Sequence, residues 1–558
     1  MQQIKSVLIV CTFLFTQGIV IAQTSESTEK DENSLKGWHL LDRETDQYYG
    51  ISINKAYSFL REKNLSGKKI IVAVIDNGVD TLHEDLKSIL WKNPKEIPGN
   101  GVDDDKNGYT DDLYGWNFLG GKDGRNVDED SYEAARVYHA LKSKYPANTD
   151  ISKLSKIDKK EYQNFIRAKL DLEKSSSEAS SGITFLRTMN QKTGSSDSIL
   201  QIKFKKVYTG EELSSFETSS KEEKESKTAM ITLFRAFQMM SATNSMILDL
   251  FNSYYKGQER KIEAFTKPPT PYRQDIVQDD YKNFKDRSYG NQDVMAGKPE
   301  HGTHVAGIIG AVRNNGIGVD GVADHIQIMT LRAVPDGDEH DKDIALAIRY
   351  AVDNGAKIIN MSFGKSFSPE KVWVDNAIRY AHSKGVLLIH ASGNDGKNLD
   401  SPESFNFPSP YFEKKGKQAK NFITVGASGT TATGELAADF SNYGKTKVDV
   451  FAPGVKIYST MPGGNNYEFL QGTSMASPVV AGISALLLSY FPDLSAEQIK
   501  ECIEKTAVNP NQNTTKPGDE EKVAFSSLSK TGGIVNAYEA VKYASTLKGK
   551  RKSSHKVN

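Results

Sequence analysis

Cysteine is nearly missing from this chain, which has two in 558 residues. A disulfide framework of the kind that holds small secreted domains together is therefore excluded. An excess of charge of either sign is missing as well, because Lys plus Arg and Asp plus Glu both number 71. A net charge of zero provides no electrostatic attraction for nucleic acid or for an anionic membrane surface, so neither is an expected partner.

Long apolar runs are also scarce, and the clearest one, Val7 to Val20, is short for a membrane span, at about 14 residues where roughly 20 are needed. Lys5 precedes this run and Val20-Ile21-Ala22 ends it, a pattern typical of a cleaved signal peptide over residues 1–22. An uncleaved anchor helix and a lipoprotein using Cys11 are the alternatives. We expect export to the periplasm or the extracellular space, with no stable membrane span after cleavage. Cys502 then remains alone and is expected in the core.

Apolar segments that run into glycine-rich turns predict buried parallel strands. Four such segments are Lys69–Asp76, Ala356–Ser362, Gly385–Ala391 and Asn421–Ala427, and helical patterns such as Lys342–Asn354 and Val372–Lys384 lie between them. Alternating strands and helices of this kind predict an α/β fold, a mainly parallel sheet with helices on both faces. Ligands of such sheets lie at the carboxyl ends of the strands, where polar side chains deserve the closest inspection.

Residues 125–284 have a different pattern, without strands that end at glycine. Charged helical stretches occur at Ile151–Glu173 and Lys227–Tyr255, and Ser-rich connectors are expected at Ser175–Ser181 and Ser214–Ser226. We interpret this region as a mainly helical insertion in a surface loop, because long insertions there cost little closure entropy.

Three segments carry side chains suited to acyl transfer. Asp76 ends the first predicted strand, His301 opens the stretch H-G-T-H-V-A-G, and Ser474 lies in G-T-S-M-A-S-P before an apolar helix. A serine hydroxyl is a poor nucleophile at neutral pH, so an imidazole must accept its proton and a carboxylate must orient that imidazole. A serine at a helix N-terminus also lies among amide donors that favour developing negative charge.

These segments, in the order Asp, His, Ser, resemble the subtilisin (subtilase) family of serine endopeptidases. The resemblance covers roughly residues 50–124 and 285–545 and implies a three-layer αβα subtilisin-like fold for this discontinuous domain. Residues 23–49 would be a short N-terminal extension, and 546–558 a basic tail. The resemblance further implies that Asp76 orients His301, that His301 is general base and then acid, and that Ser474 is the nucleophile that cleaves protein or peptide substrates through an acyl-enzyme.

Two further segments resemble substrate-contacting parts of the family. Asn394 would donate its side-chain amide to the oxyanion beside the Ser474 backbone N–H, although Asn is also common in turns such as the one before Asp395-Gly396. Lys365 stands where many relatives carry a glycine, which leaves the shape of the specificity pocket open. The expected substrate-binding residues are Ser362, Phe363, Gly364, Ala391, Ser392 and Gly393.

Calcium is the expected structural cofactor, on two arguments. The loop from Asp103 to Asp112 resembles an EF-hand loop, with Tyr114 where the bidentate Glu would be, and a merely solvated acidic turn is the alternative. Its expected ligands are Asp103, Asp105, Asn107 and Asp111. The resemblance implies a second site, formed by the side chains of Asp85 and Asn315 and the carbonyl groups of Ile317 and Val319. A catalytic metal is not expected, because the H-E-x-x-H pattern is missing around His301 and His304.

The predicted insertion lies between two predicted catalytic residues, since 225 positions separate Asp76 from His301. One hypothesis is that it limits access to the site or binds a partner protein, and the alternative is a stabilising addition. A second reading of the whole chain is a peptidase-like binding or scaffold protein that uses the insertion as its interaction surface. An esterase is disfavoured, because the segment around Ser474 does not fit G-x-S-x-G.

Overall fold

The computed structural model describes residues 34–204, 207–237, 239–413, 417–430 and 432–551. The predicted signal peptide lies outside these residues. The chain forms two compact units, one made of the residues up to Glu129 and from Pro271, the other of Asp130–Thr270. The second unit starts and ends inside the bounds of 125–284 expected for the insertion.

The strands are β1 Ile70–Asp76, β2 Gly115–Asn117, β3 Ile326–Arg332, β4 Ile358–Met361, β5 Leu387–Ala391, β6 Phe422–Ser428, β7 Val450–Pro453, β8 Ile457–Met461, β9 Asn466–Leu470, β10 Asn513–Thr515 and β11 Lys522–Ala524. Seven of them form one sheet in the order β2-β3-β1-β4-β5-β6-β7, and all its neighbouring strands are parallel. The remaining strands form the antiparallel pairs β8–β9 and β10–β11. The four predicted strands are confirmed as β1, β4, β5 and β6, whereas β2, β3 and β7 were not predicted.

The helices are α1 Arg43–Asp46, α2 Ile53–Glu62, α3 Glu133–Leu141, α4 Lys156–Phe204, α5 Gly210–Ser215, α6 Lys221–Phe237, α7 Asn244–Ala264, α8 Glu300–Gly310, α9 Asp341–Asp353, α10 Lys371–Ser383, α11 Thr473–Tyr490, α12 Ala496–Lys505 and α13 Ala537–Ala544. Short 3₁₀ or π turns lie at Trp38–Leu40, Ile151–Lys153, Arg273–Val277 and Phe525–Ser527. The two helices predicted between strands are confirmed as α9 and α10.

Successive residues of β1 point into two different cores. Val72 and Val74 belong to a core that includes residues of α8 and α11, whereas Ala73 and Ile75 belong to one that includes residues of α9 and α10. This alternation is what a strand covered on both faces requires. The predicted α/β fold of three layers is confirmed.

The second unit is helical. The expected connector Ser175–Ser181 is wrong, because α4 runs through it without interruption. The hydroxyls of Ser175 and Ser181 donate to carbonyls three residues earlier, so these serines are accommodated inside the helix. The stretch Lys227–Tyr255 is not one helix but parts of α6 and α7, and the Thr243 side chain caps the start of α7.

The ends of the first unit are packed onto its core. Trp38 is fully buried and its indole N–H lies 3.1 Å from the carbonyl oxygens of Val455 and Lys456. Near the other end, the Arg551 backbone N–H donates to the Asp493 carbonyl. Among the described residues, α11 is the one helix long and apolar enough to cross a membrane, and 89% of it is buried inside the protein. Cys502 is buried, as expected.

Candidate active site

Asp76 and His301 form a hydrogen-bonded pair at the carboxyl end of β1. Asp76 is the last residue of that strand and is 2% exposed, and its Oδ1 lies 2.7 Å from His301 Nδ1. Burial alone would lower the pKa of His301, but the charge and the hydrogen bond of Asp76 outweigh it, so the pKa is raised above its ordinary value of 6.5. The carboxylate therefore fixes the ring and stabilises its protonated form.

Close packing of α8 against the end of β1 sets the position of His301. A Cβ on Gly302 would lie 2.1 Å from the Gly78 carbonyl oxygen, so only glycine permits this approach. The Asn77 side chain accepts from the Gly302 N–H at 2.9 Å and donates to the Lys298 carbonyl. His304, one turn further along α8, is buried with its Nε2 3.0 Å from two backbone carbonyls, which makes it a core residue.

Ser474 lies in the first turn of α11, where backbone N–H groups have no partner within the helix. Its hydroxyl donates to the Ser362 carbonyl at 3.0 Å, and the Ser362 hydroxyl donates back to the Ser474 carbonyl at 2.8 Å. In the described part of the chain, Ser474 Oγ is thus hydrogen-bonded to Ser362 and not to His301. Catalytic hydrogen bonds are often incomplete without substrate, so this rotamer does not exclude a catalytic Ser474.

Asn394 lies beside Ser474 with its amide orientation fixed. Its Oδ1 accepts from the Thr473 N–H and from the Thr473 hydroxyl, both at 2.9 Å. Because the carbonyl end of the amide is held, the Nδ2 end is directed elsewhere. A Cβ built on Gly472 would lie 3.5 Å from Asn394 Nδ2, 3.5 Å from Ser474 N and 3.8 Å from Asn394 Oδ1. Both nitrogens and the Asn394 oxygen thus border the same glycine.

A pocket of about 480 Å³, counting its open mouth, adjoins these groups. Its lining includes Ser474 and Asn394 together with four of the expected substrate-binding residues, Phe363, Gly364, Ala391 and Gly393. The other two are buried beneath it: Ser362 is 3% exposed and Ser392 is fully buried.

Asn442 supports this loop and was not predicted. Its side chain donates to the Ser392 carbonyl at 2.9 Å and accepts from the backbone N–H groups of Asp395 and Lys397. The residue is 2% exposed, so these contacts are shielded from water. The only signal in the sequence is a polar side chain beside a glycine turn, which is too common to identify such a role.

Three carboxylates lie together at the acidic loop that runs from Asp103 to Asp112. The spacing of the sequence identified two of them. Ligand oxygens of Glu96, Asp103 and Asp105 all lie within 4.8 Å of one another. Glu96 is 7% exposed; its Oε1 accepts from two backbone N–H groups, and its buried Oε2 has no hydrogen-bond partner among the described residues. Carboxylates this close repel one another unless a cation lies between them, so this set fits a hard divalent ion. Asn107 and Asp111 have other partners: the Asn107 amide donates to Asp112, and Asp111 accepts from Asn100 and Gly101.

The second predicted calcium site has contacts of a different kind. Asp85 accepts from the Asn315 amide at 2.5 Å, the Val319 N–H at 3.1 Å and the Tyr467 hydroxyl at 3.2 Å. The Ile317 N–H donates to Asn315 Oδ1. Three protein donors thus satisfy the buried Asp85 carboxylate, and the calcium ligation expected of Asp85, Asn315 and the Ile317 and Val319 carbonyl groups stays a prediction.

Comparisons with known proteins agree with this arrangement. The model of the subtilase family matches residues 67–526. A thermophilic serine proteinase of Bacillus sp. (strain AK1) is 38% identical over 262 residues, which are 47% of this chain and 56% of that protein. Thermitase of Thermoactinomyces vulgaris is 36% identical over 244 residues, 44% of this chain and 75% of that protein. A cell wall-associated protease of Bacillus subtilis (strain 168) is 37% identical over 222 residues, 40% of this chain and 22% of that protein.

The matched stretch spans about half the length of the first of these relatives and less of the third. The family model, in contrast, covers well over half of this chain and includes Asp76, His301, Asn394 and Ser474. The chain belongs to the subtilase family.

Proposed function

We propose that this protein is a serine endopeptidase in which Ser474 is the nucleophile. The observation that carries the proposal is the Asp76–His301 pair, joined at 2.7 Å at the carboxyl end of β1, together with Ser474 in the first turn of α11. Ser474 Oγ attacks the scissile carbonyl as its proton passes to the neutral imidazole of His301. The protonated His301 then donates that proton to the departing amine, which leaves an ester on Ser474. Water, deprotonated by His301, hydrolyses the ester and restores the hydroxyl.

The negative charge of the tetrahedral intermediate would be stabilised by Asn394 Nδ2 and Ser474 N. Asn394 and Ser474 both line the pocket, and Thr473 holds the carbonyl end of the Asn394 amide, which supports an Nδ2 group directed to the substrate. Fixed donors in a partly buried site stabilise such a charge without reorganisation. The attack also requires the Ser474 hydroxyl to turn from the Ser362 carbonyl towards His301, which frees that carbonyl to accept from a substrate backbone.

The test is covalent labelling with a fluorophosphonate probe, followed by casein cleavage. Wild type should be labelled and should cleave casein, and Ser474→Ala should do neither. Ser383→Ala is the matched control, because the Ser383 hydroxyl is exposed and donates to the Tyr380 carbonyl far from the site. An unlabelled wild type that does not cleave casein would overturn the proposal and would favour a peptidase-like binding protein. Casein cleavage that survives in Ser474→Ala would overturn the role of Ser474 as nucleophile.

A calcium ion bound by Glu96, Asp103 and Asp105 is part of the proposal. The orphaned, buried Glu96 oxygen supports it, because an isolated buried carboxylate oxygen costs free energy that a cation would remove. The ion would stabilise the loop before β2 and take no part in the reaction.

We further propose that the protein is exported, because its N-terminus has the pattern of a signal peptide and one relative is a cell wall-associated protease.

The insertion would control access to the site or bind a partner, since Asp130–Thr270 folds as a unit of its own between Asp76 and His301. Replacing Asp130–Thr270 by a short linker should then change the ratio of casein to small-peptide cleavage. An unchanged ratio, together with unchanged binding of other proteins, would identify it as a stabilising addition.

A further inference from the structure

The pocket next to Ser474 contains one carboxamide that the catalytic machinery does not use, that of Asn406. Asn406 lines the pocket together with Gly364 and Ala391. Gly364 follows β4 and Ala391 ends β5, and these two strands are neighbours in the sheet. The two residues therefore stand on opposite sides of the gap between adjacent strand ends.

Contacts on both sides place the Asn406 carboxamide across this gap. Its Nδ2 donates to the Ala391 carbonyl at 2.9 Å. A Cβ built on Gly364 would lie 2.3 Å from Asn406 Oδ1 and 3.3 Å from its Cγ, so the carboxamide covers the open face of that glycine. One end of the group is thus hydrogen-bonded to one wall, and the other end touches the opposite wall.

The backbone around Asn406 is held as firmly as its side chain. Its neighbour Phe407 exchanges two hydrogen bonds with Lys365, N–H to carbonyl in both directions, at 3.1 and 2.9 Å. The Lys365 ammonium group is directed to Asp341 Oδ1 at 2.9 Å and to the Glu339 carbonyl at 2.7 Å, and only 5% of Lys365 is exposed. The carboxamide therefore cannot shift without breaking several contacts of buried groups.

We infer that Asn406 forms the floor of the pocket and selects substrates with a small side chain on the acyl side of the scissile bond. The inference rests on the proposed function, because it needs a carbonyl held near Ser474 and Asn394. The side chain attached next to that carbonyl enters the adjoining pocket between Gly364 and Ala391. A short side chain fits above the carboxamide, whereas a large aromatic ring must displace it and leave the Ala391 carbonyl without its donor.

Asp395 also lines the pocket, and its carboxylate lies 3.8 Å from the Lys397 ammonium group. This carboxylate would disfavour an acidic substrate side chain and attract a basic one. Phe405, 39% exposed, stacks on Phe407 and gives the outer wall an apolar surface that suits an alanine or a similar small residue.

The experiment compares two tetrapeptide p-nitroanilides that differ only in the residue before the scissile bond, alanine or phenylalanine. Wild type should have the larger kcat/KM with alanine. Asn406→Gly should change the alanine-to-phenylalanine ratio at least tenfold in favour of phenylalanine, the scale on which pocket shape discriminates side chains. Asn406→Gln, which extends the carboxamide, should shift the ratio in the opposite direction. Asn376→Ala is the control, because the exposed Asn376 lies on α10 and contacts Arg379.

Two results would overturn the inference: a wild type that prefers phenylalanine, or a ratio that stays within twofold of wild type in both Asn406 variants. Active-site titration with the fluorophosphonate probe normalises each rate to folded, reactive enzyme. A wild type that is not labelled and cleaves neither substrate contradicts the proposed function itself, which is a different result from a labelled enzyme with the wrong preference.

Discussion

Replacing Thr473 by valine removes one hydroxyl and leaves the shape of this fully buried side chain nearly unchanged. That hydroxyl donates to Asn394 Oδ1 at 2.9 Å and accepts from the Gly393 N–H at 3.1 Å. After the change, Asn394 Oδ1 keeps only the Thr473 backbone N–H. The amide that is proposed to donate to the oxyanion therefore becomes less firmly oriented, although every proposed catalytic side chain is still present.

The size of the effect follows from the bonds that are lost. One hydrogen bond is worth about 1 kcal/mol net, which corresponds to about a fivefold fall in kcat if all of it acts on the orientation of Asn394. Asn394→Ala removes the donor itself and should lower kcat by about 10²–10³, the range known for this kind of donor in subtilisin, a member of the same family. KM should change little in either variant, because the donor acts on the transition state.

The double variant Asn394→Ala/Thr473→Val separates an effect on the orientation of the Asn394 amide from a general loss of stability. If Thr473 acts through Asn394, its replacement should cost no further kcat once the amide is gone. The unpaired Gly393 N–H should lower the melting temperature equally in both backgrounds. These values come from kcat measured with a p-nitroanilide at titrated enzyme concentration, and from thermal unfolding. A fivefold loss that persists in the Asn394→Ala background would refute the reasoning.

Four further changes test other parts of the protein. Because Asp76 raises the pKa of His301, the acid limb of the kcat/KM profile should lie above pH 6.5. Asp76→Asn should move this limb to lower pH as kcat falls about 10⁴-fold, and an unmoved limb would contradict this. Asp103→Asn should reduce the stabilisation that calcium produces, about 2.7 kcal/mol at 100 times Kd, measured by thermal unfolding. Asp85→Asn tests the second predicted site in the same way: a loss of stability that is equal with calcium and with EGTA would identify Asp85 as a hydrogen-bond acceptor alone. Gly302→Ala should lower kcat at least tenfold, because the new Cβ would lie 2.1 Å from a carbonyl oxygen. The assay uses the same p-nitroanilide, and an unchanged kcat would show that α8 can shift freely.

The strand β3 shows why part of the sheet was not predicted from sequence. Continuous apolar runs predict buried parallel strands, but Ile326–Arg332 is interrupted by Gln327, Thr330 and Arg332. Thr330 is fully buried and Arg332 is 2% exposed, so polar side chains occupy a central strand. Arg332 is tolerated because the fold supplies backbone carbonyls for its guanidinium, at Ala296 and Val127, and such partners are known only from the three-dimensional structure. The Thr330 hydroxyl has no hydrogen-bond partner among the described residues.

Residues whose contacts lie far away in the chain could not be predicted from the sequence, for a similar reason. Glu96 joins Asp103 and Asp105 from outside the loop whose spacing suggested calcium. Spacing within a loop identifies ligands only when the loop supplies them all, as an EF-hand does. Motifs with fixed local geometry were more informative, because a strand end and a helix start each determine where their residue lies.

Arg332 explains how Asp76 and His301 can meet although an entire folded unit lies between them in the chain. Its guanidinium donates to the Val127 carbonyl at 2.8 Å, on the side where the chain leaves for the insertion, and to the Ala296 carbonyl at 3.1 Å, on the side where it returns. Arg332 also lies opposite Asp76 in the pairing of β3 with β1. One buried side chain of β3 therefore connects both flanks of the insertion to the strand next to β1, which carries Asp76. Since the cost of closing a loop rises only with the logarithm of its length, a long insertion between these flanks adds little to the free energy that such contacts must offset.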